Sequence, residues 1–260
     1  MHWYTAEGLA AHTQPTKKGA KNPFRPTNIR DAKEQKLLPS ITGILSVIDN
    51  PSLNRWKMSK VAEYCFNAPP IGDEQMDEYV ANALSKALDE ASDAAELGTR
   101  IHSNIEHHLK GQPAPYGGPE LEMALDAIDK VRSLGLDIAD SEFTVVSHEY
   151  GYAGTTDLAV TKGMQCGILD FKSTKTQPGE PVTSKFGHLP QIAAYHVAHW
   201  ENGERIKDNA MGYNVYISTT EPGRVEVVEY SAAQMREAFE MFCSALQIWR
   251  YKNAYDPRRS

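Results

Sequence analysis

The spacing of apolar positions changes near residue 135, and that change divides the chain. Before it the period is helical. Leu53, Trp56, Val61 and Tyr64 fall along a predicted helix over Leu53 to Asn67, which Pro69-Pro70 stops. Asp73 to Glu90 is acidic and amphipathic. From Ser92 onward Leu97, Ile101, Ile105 and Leu109 recur at every fourth position as far as Gly111, which predicts a buried helical stripe. A Gly- and Pro-rich turn over 111–119 leads to a further amphipathic helix, Glu120 to Leu134.

Past Gly135 the apolar runs shorten. Phe143 to Ser147, Tyr152 to Val160 and Gln165 to Lys172 read as strands, with turns at Gly151 and at Lys162-Gly163. Lys185 to Trp200 reads as a helix. Met211 to Ser218 and Arg224 to Tyr230 are strands joined through Glu221-Pro222-Gly223. Ser231 with Gln234 forms a capping-box pattern ahead of a last helix, with Met235, Phe239, Phe242, Leu246 and Trp249 on its core face. Strands, a helix and strands again predict an α/β fold behind a mostly helical N-terminal half. No internal repeat is present.

Residues 1–38 show little periodicity and are rich in Pro and Lys, so they read as a flexible basic arm. That leaves 39–260 as one domain, with a helical portion over 39–135 and an α/β core over 136–260. Hydrophobic residues make up 41% of the 260 and charged residues 23%, which excludes wholesale disorder and fibrous repeats. A net charge of −7 argues against a polyanionic partner until its distribution is considered. Residues 15–36 hold seven basic side chains (Lys17, Lys18, Lys21, Arg25, Arg30, Lys33 and Lys36) against Asp31 and Glu34. Residues 73–96 hold eight acids against Lys86. The basic run is either a solvated tail or an arm that draws in nucleic acid.

Cys65, Cys166 and Cys243 are odd in number and scattered, which fits a reducing cytoplasm and no disulfide framework. No apolar run approaches the roughly 18–20 residues of a membrane span, so no membrane partner is expected.

The candidate chemistry lies on the second and third predicted strands. Asp157 follows Gly154-Thr155-Thr156, and Asp170 and Lys172 close the next strand. Positions i and i+2 of a strand share a face, so Asp170 and Lys172 project together, and Asp157 can lie across the ladder from them. Two carboxylates and a lysine suit a hard divalent cation that activates water; the alternative is a strand-end salt bridge. Gly98, His102 and Glu106 form a polar stripe beside the apolar one, and the glycine permits close approach of another backbone. Gln191 and Tyr195 share a helix face. Ser40 and Thr42 either cap a short helix or donate to a phosphate, and Trp56 either packs or stacks on a base.

Gly154-Thr155-Thr156-Asp157, Ile168-Leu169-Asp170-Phe171-Lys172 and Gln191-Ile192-Ala193-Ala194-Tyr195 together resemble the PD-(D/E)xK nuclease superfamily. More closely, the chain is similar to RecB-type exonucleases, phage exonucleases and the mitochondrial genome maintenance exonuclease. Gly98 to His102 resembles the upstream histidine motif of that group, and Pro39 to Leu45 its PSxTxIL segment. The resemblance implies a restriction-endonuclease-like mixed sheet flanked by helices. It also implies that Asp157 and Asp170 bind metal, with His102 as an additional ligand and Lys172 as the catalytic lysine. Glu142 matches a recurrent family glutamate, and Gln191 and Tyr195 would contact substrate phosphate.

Magnesium is the implied cofactor, with manganese able to substitute. Three isolated cysteines cannot supply the four-cysteine iron–sulfur cluster of one family branch. The implied activity is an exonuclease acting on free ends of single-stranded DNA, alongside phage or host recombination or replication proteins. A flap or branch endonuclease and a noncatalytic DNA-binding accessory are the alternatives.

Overall fold

The computed structural model describes residues 1–17, 20–70, 75–87 and 89–259. The chain opens with β1 (Trp3–Tyr4), β2 (Thr13–Pro15), β3 (Phe24–Pro26), α1 (Ile29–Gln35) and β4 (Leu38–Pro39). Helices α2 (Ile41–Leu45), α3 (Pro51–Asn67), α4 (Met76–Ala87), α5 (Asp89–Leu109) and α6 (Pro119–Ser133) follow. The second half holds β5 (Asp137–Ser147), β6 (Tyr152–Lys162), β7 (Gln165–Thr174), α7 (His188–Trp200), β8 (Ala210–Ser218), β9 (Val225–Ser231) and α8 (Ala232–Asn253). Every helix and strand expected after residue 50 is present. Residues 73 and 74, where the acidic helix was expected to begin, lie outside the described residues, as does Lys18 of the basic run.

Strands β5 to β9 form one sheet in sequence order. Pairing is antiparallel except between β7 and β8, which run parallel because α7 carries the chain across between them. Alternation along the strands divides the core into two layers. Tyr152, Ala159 and Ile168 face α7 and α8, where Ile192, Phe242 and Trp249 are buried. Leu158, Val160, Leu169 and Phe171 face α5 and α6, against Ile101, Ile105 and Ile128. Ser231 caps α8 with Gln234 in the expected reciprocal capping box.

The N-terminal segment departs from its expectation as a flexible basic arm. β1 pairs antiparallel with β4, through Trp3 opposite Pro39 and Tyr4 opposite Leu38. Trp3 is 1% exposed and meets Trp249 edge-on, with ring centroids 6.0 Å apart. The Tyr255 hydroxyl lies 2.9 Å from the Leu37 carbonyl and 3.0 Å from that of Ala32, tying the C-terminal end to this segment. Arg25 forms a bidentate pair with Asp31 (2.6 and 2.7 Å), so part of the basic charge is satisfied internally. Lysines in the run masked the few apolar anchors (Trp3, Leu37 and Leu38), too widely spaced to show a period.

Trp3→Ala is therefore expected to cost about 3–5 kcal/mol of stability, as for other buried tryptophans. Denaturant unfolding measures it; a loss under 1 kcal/mol would mean that the segment is not part of the core.

Candidate active site

The site forms where β6 and β7 separate. Their ladder ends at Leu158 opposite Leu169, so Asp157 and Asp170 occupy the next position, beyond the last pair. Asp157 fills the gap by accepting the Phe171 backbone N–H on Oδ2 at 2.6 Å. Its Oδ1 lies 3.3 Å from Nδ1 of His102 on α5. Helix α5 comes this close because of Gly98. A Cβ there would stand 2.8 Å from the Ser173 Oγ on β7, and one turn further along the helix His102 meets Asp157.

Glu142 completes the group. The flanking pairs of β5 and β6, Ser141 with Leu158 and Phe143 with Thr156, set it across from Asp157. Its own backbone is left-handed (φ +46°), near a register shift between Ile138 and Asp140. His102, Glu142 and Asp157 each offer a ligand atom, and all three atoms lie within 4.8 Å of one another. Their recess, about 630 Å³, is also bordered by Thr155, Lys172 and Glu106.

Charges here are strongly coupled. Burial disfavours a charged His102, but the Asp157 carboxylate outweighs it and raises the imidazole to about 9. Glu142 is raised to about 7, first by burial and then by the negative charges of Asp157 and Glu106. Asp157 is held low: burial opposes its charge, but His102 and Lys172 prevail.

The expected face-sharing of Asp170 and Lys172 is observed as a salt bridge of 2.6 Å. Asp170 is buried and also accepts from Asn214 Nδ2 at 3.2 Å. Burial disfavours the Lys172 ammonium, yet Asp170 and Asp157 hold it above its ordinary value. Asp170 lies outside the close group of three; the structure brings Glu142 to Asp157 and His102 and sets Asp170 against the lysine.

The profile of the PD-(D/E)XK nuclease superfamily matches residues 74–260, a stretch that contains this whole site. The chain belongs to the PD-(D/E)XK nuclease superfamily. No curated protein matches it. Among solved structures, a protein from Eubacterium rectale provisionally described as an exonuclease is similar at 17% identity and a TM-score of 0.43, over 80% of this chain and 88% of that one. SSO0001 is similar at 15% identity and a TM-score of 0.32, over 76% and 88%. Both likenesses are remote. Superfamily membership makes the protein a hydrolytic nuclease with DNA as substrate. Among the described residues no helix is long and apolar enough to cross a membrane.

The remaining predicted residues of the nuclease surround this centre. Gln191 donates to the Tyr195 hydroxyl at 3.1 Å, and both are buried. The Tyr195 ring lies on Gly154, where a Cβ would stand 2.8 Å from the ring edge, so the glycine is needed for the contact. Ser40 is the N-cap of α2, accepting from Gly43 N–H at 3.1 Å, and with Thr42 borders a second recess beside Tyr195. Trp56 is half-buried and borders a third recess, on the Ser173 side.

Sequence reasoning missed Asn214, Tyr216, His188 and Tyr230. The parallel register pairs Asp170 with Asn214 and Lys172 with Tyr216. The Tyr216 hydroxyl lies 2.8 Å from His188 Nδ1, and Tyr230 donates to Asn214 Oδ1 at 2.8 Å. His188 is lowered to about 4, by burial first and then by Lys172 and Lys185, so a neutral ring faces Tyr216. An Asn-x-Tyr pair inside an apolar strand was the available signal, since polar residues in a central strand need partners.

Proposed function

We propose that the nuclease is a divalent-metal-dependent exonuclease that degrades single-stranded DNA from free ends, using Mg²⁺ with Mn²⁺ as a substitute. One observation carries the reading: His102, Glu142 and Asp157 converge within 4.8 Å in a recess that also holds Lys172. The donor set fits the metal. Two carboxylates suit Mg²⁺, which keeps several waters, and the imidazole of His102 suits Mn²⁺ once the cation displaces the proton that Asp157 holds on it. A bound ion supplies a polarised phosphate oxygen and a water of lowered pKa.

The chain's own groups do the rest. Asp157, fixed by the Phe171 N–H, would hold the ion together with His102 and Glu142. Asp170 holds the Lys172 ammonium beside the reaction centre, where it orients the attacking water or offsets charge building on the phosphate. Lys172 and Asn214 both contact Oδ2 of Asp170, which leaves Oδ1 as a further donor for the ion. Gln191 and Tyr195 support the phosphate side. Helix α5 and Trp56 of α3 border the approach, which favours a single strand over a duplex. The intact set of Asp157, Asp170 and Lys172 argues against a noncatalytic accessory.

The test uses oligonucleotides labelled separately at each end, with Mg²⁺ or EDTA. Shortening from one labelled end with Mg²⁺, none with EDTA, and resistance of covalently closed single-stranded circles are expected. Circles cut as fast as linear strands would overturn the exonuclease reading, and activity in EDTA would overturn the metal.

A further inference from the structure

Three recesses lie end to end along the strand ends. The active-site recess shares Ala95 and Ser173 with a wider one of about 860 Å³, bordered by Trp56, Arg100, Lys185 and Thr219. In the other direction it shares Thr155 with a smaller one of about 400 Å³. Thr155 and Asp157 are two positions apart on β6, roughly 7 Å, so the small recess begins about one nucleotide from the group of three.

The walls of the small recess come largely from the N-terminal segment: His2, Tyr4 and His12 face Ser40, Thr42 and Tyr195. These walls are fixed. The His2 carbonyl accepts from Ser40 N–H at 3.1 Å. His12 Nδ1 lies 2.8 Å from the Trp3 carbonyl oxygen and 3.2 Å from its backbone nitrogen. The rings of His2 and His12 stack at 4.3 Å and 14°, and Tyr4 meets His12 edge-on at 5.0 Å. The Tyr4 hydroxyl lies 3.2 Å from Thr155 Oγ1, on the boundary with the active-site recess. Behind this wall stands Trp3, buried in the core.

A flat pair of imidazoles with polar edges is a surface on which a nucleobase stacks, whatever its identity. The volume lies near the lower end of the ~300–1,000 Å³ of ligand sites, which suits one nucleotide. The wide recess, with a tryptophan and basic side chains, suits the strand still to be cut.

We propose that the small recess receives the terminal nucleotide, with its base against the His2–His12 stack, and that the N-terminal segment ends the track one nucleotide past the metal. The proposal rests on the nuclease reading above and adds its product. In each cycle water oxygen bonds to phosphorus, the bond from phosphorus to the leaving sugar oxygen breaks, and that oxygen takes up a proton. One mononucleotide leaves for each water consumed. His2, Tyr4 and His12 lie outside the family-matched stretch 74–260, whereas Gly154, Thr155 and Tyr195 lie inside it, so the N-terminal segment adds one wall to the pocket.

The test is the length of products released early from single-stranded DNA, read by mass spectrometry. Wild-type protein should release mononucleotides. A variant with both His2→Ala and His12→Ala should shift at least half of the product to dinucleotides or longer, whereas His2→Phe with His12→Phe, which keeps flat rings, should restore mononucleotides. Wild-type products longer than two nucleotides, or equal lengths in wild type and the alanine variant, would overturn the pocket.

A second measurement needs no catalysis. Deoxyadenosine monophosphate added to folded Asp157→Asn protein should shift the His2 and His12 ring resonances, and unshifted resonances would overturn the proposal. Absence of hydrolysis by wild type, with these shifts present, would count against the nuclease reading and support the pocket.

Discussion

Replacing Asp157 with asparagine is expected to lower hydrolysis by about 10³-fold or more, equivalent to about 4 kcal/mol of transition-state stabilisation. The amide keeps the shape and can still accept the Phe171 N–H, so the end of the β6–β7 ladder stays in place. What disappears is the charge that three groups depend on. A bound cation would lose one of its carboxylate ligands. His102 loses the partner that raises it to about 9 and, with burial now dominant, titrates at lower pH. Glu142, no longer facing that carboxylate, falls from about 7. Rate assays, calorimetric titration with Mn²⁺ and imidazole resonances followed through pH would record all three. Hydrolysis within tenfold of wild type, in a preparation free of contaminating nuclease, would remove Asp157 from the reaction.

Lys172→Met should produce a comparable loss of rate together with a loss of stability. Asp170 is buried, and without the lysine it keeps the Asn214 hydrogen bond and the more distant His102 charge, opposed by Asp157. Removing one partner of a buried pair costs about 3–5 kcal/mol. Lys172 is a quarter exposed, so about 2–3 kcal/mol is the better expectation. The pH dependence has a definite sign. Burial already raises Asp170 above an ordinary aspartate, and the variant raises it further. A carboxyl with a raised folded-state pKa favours folding when protonated, and that contribution is lost as pH rises through the raised value. The deficit of the variant should therefore be largest at pH 8 and shrink toward pH 5. Denaturant midpoints at the two values provide the check, and a deficit that grows on acidification would contradict the pairing.

These outcomes also separate what was readable in the chain from what was not. The pairing of Asp170 with Lys172 follows from the two-residue period of a strand, and the period is local. The approach of His102 was readable from Gly98, because a glycine inside a helix is justified by a close neighbour; Ser173 is that neighbour. Glu142 was expected only by family likeness. Its strand begins six residues earlier than the apolar run suggests, because Asp137 to Glu142 is too polar to show alternation. Asn214 and Tyr216 join the site through the parallel register of β7 and β8, which depends on how α7 carries the chain across. The N-terminal segment was misread because a few buried anchors, not a periodic face, hold it.

Glu142 occupies a backbone conformation that an L-residue adopts at a cost of about 1–2 kcal/mol and that glycine adopts freely. Its carboxyl faces two other acids, so its surroundings repel it as well. Folding alone would favour glycine or asparagine at this point, and a variant so altered would gain thermal tolerance while losing the carboxylate. The resting protein therefore holds a local conflict that a doubly charged guest resolves, and heat resistance should rise more steeply with added divalent salt here than in a variant already relaxed at this position.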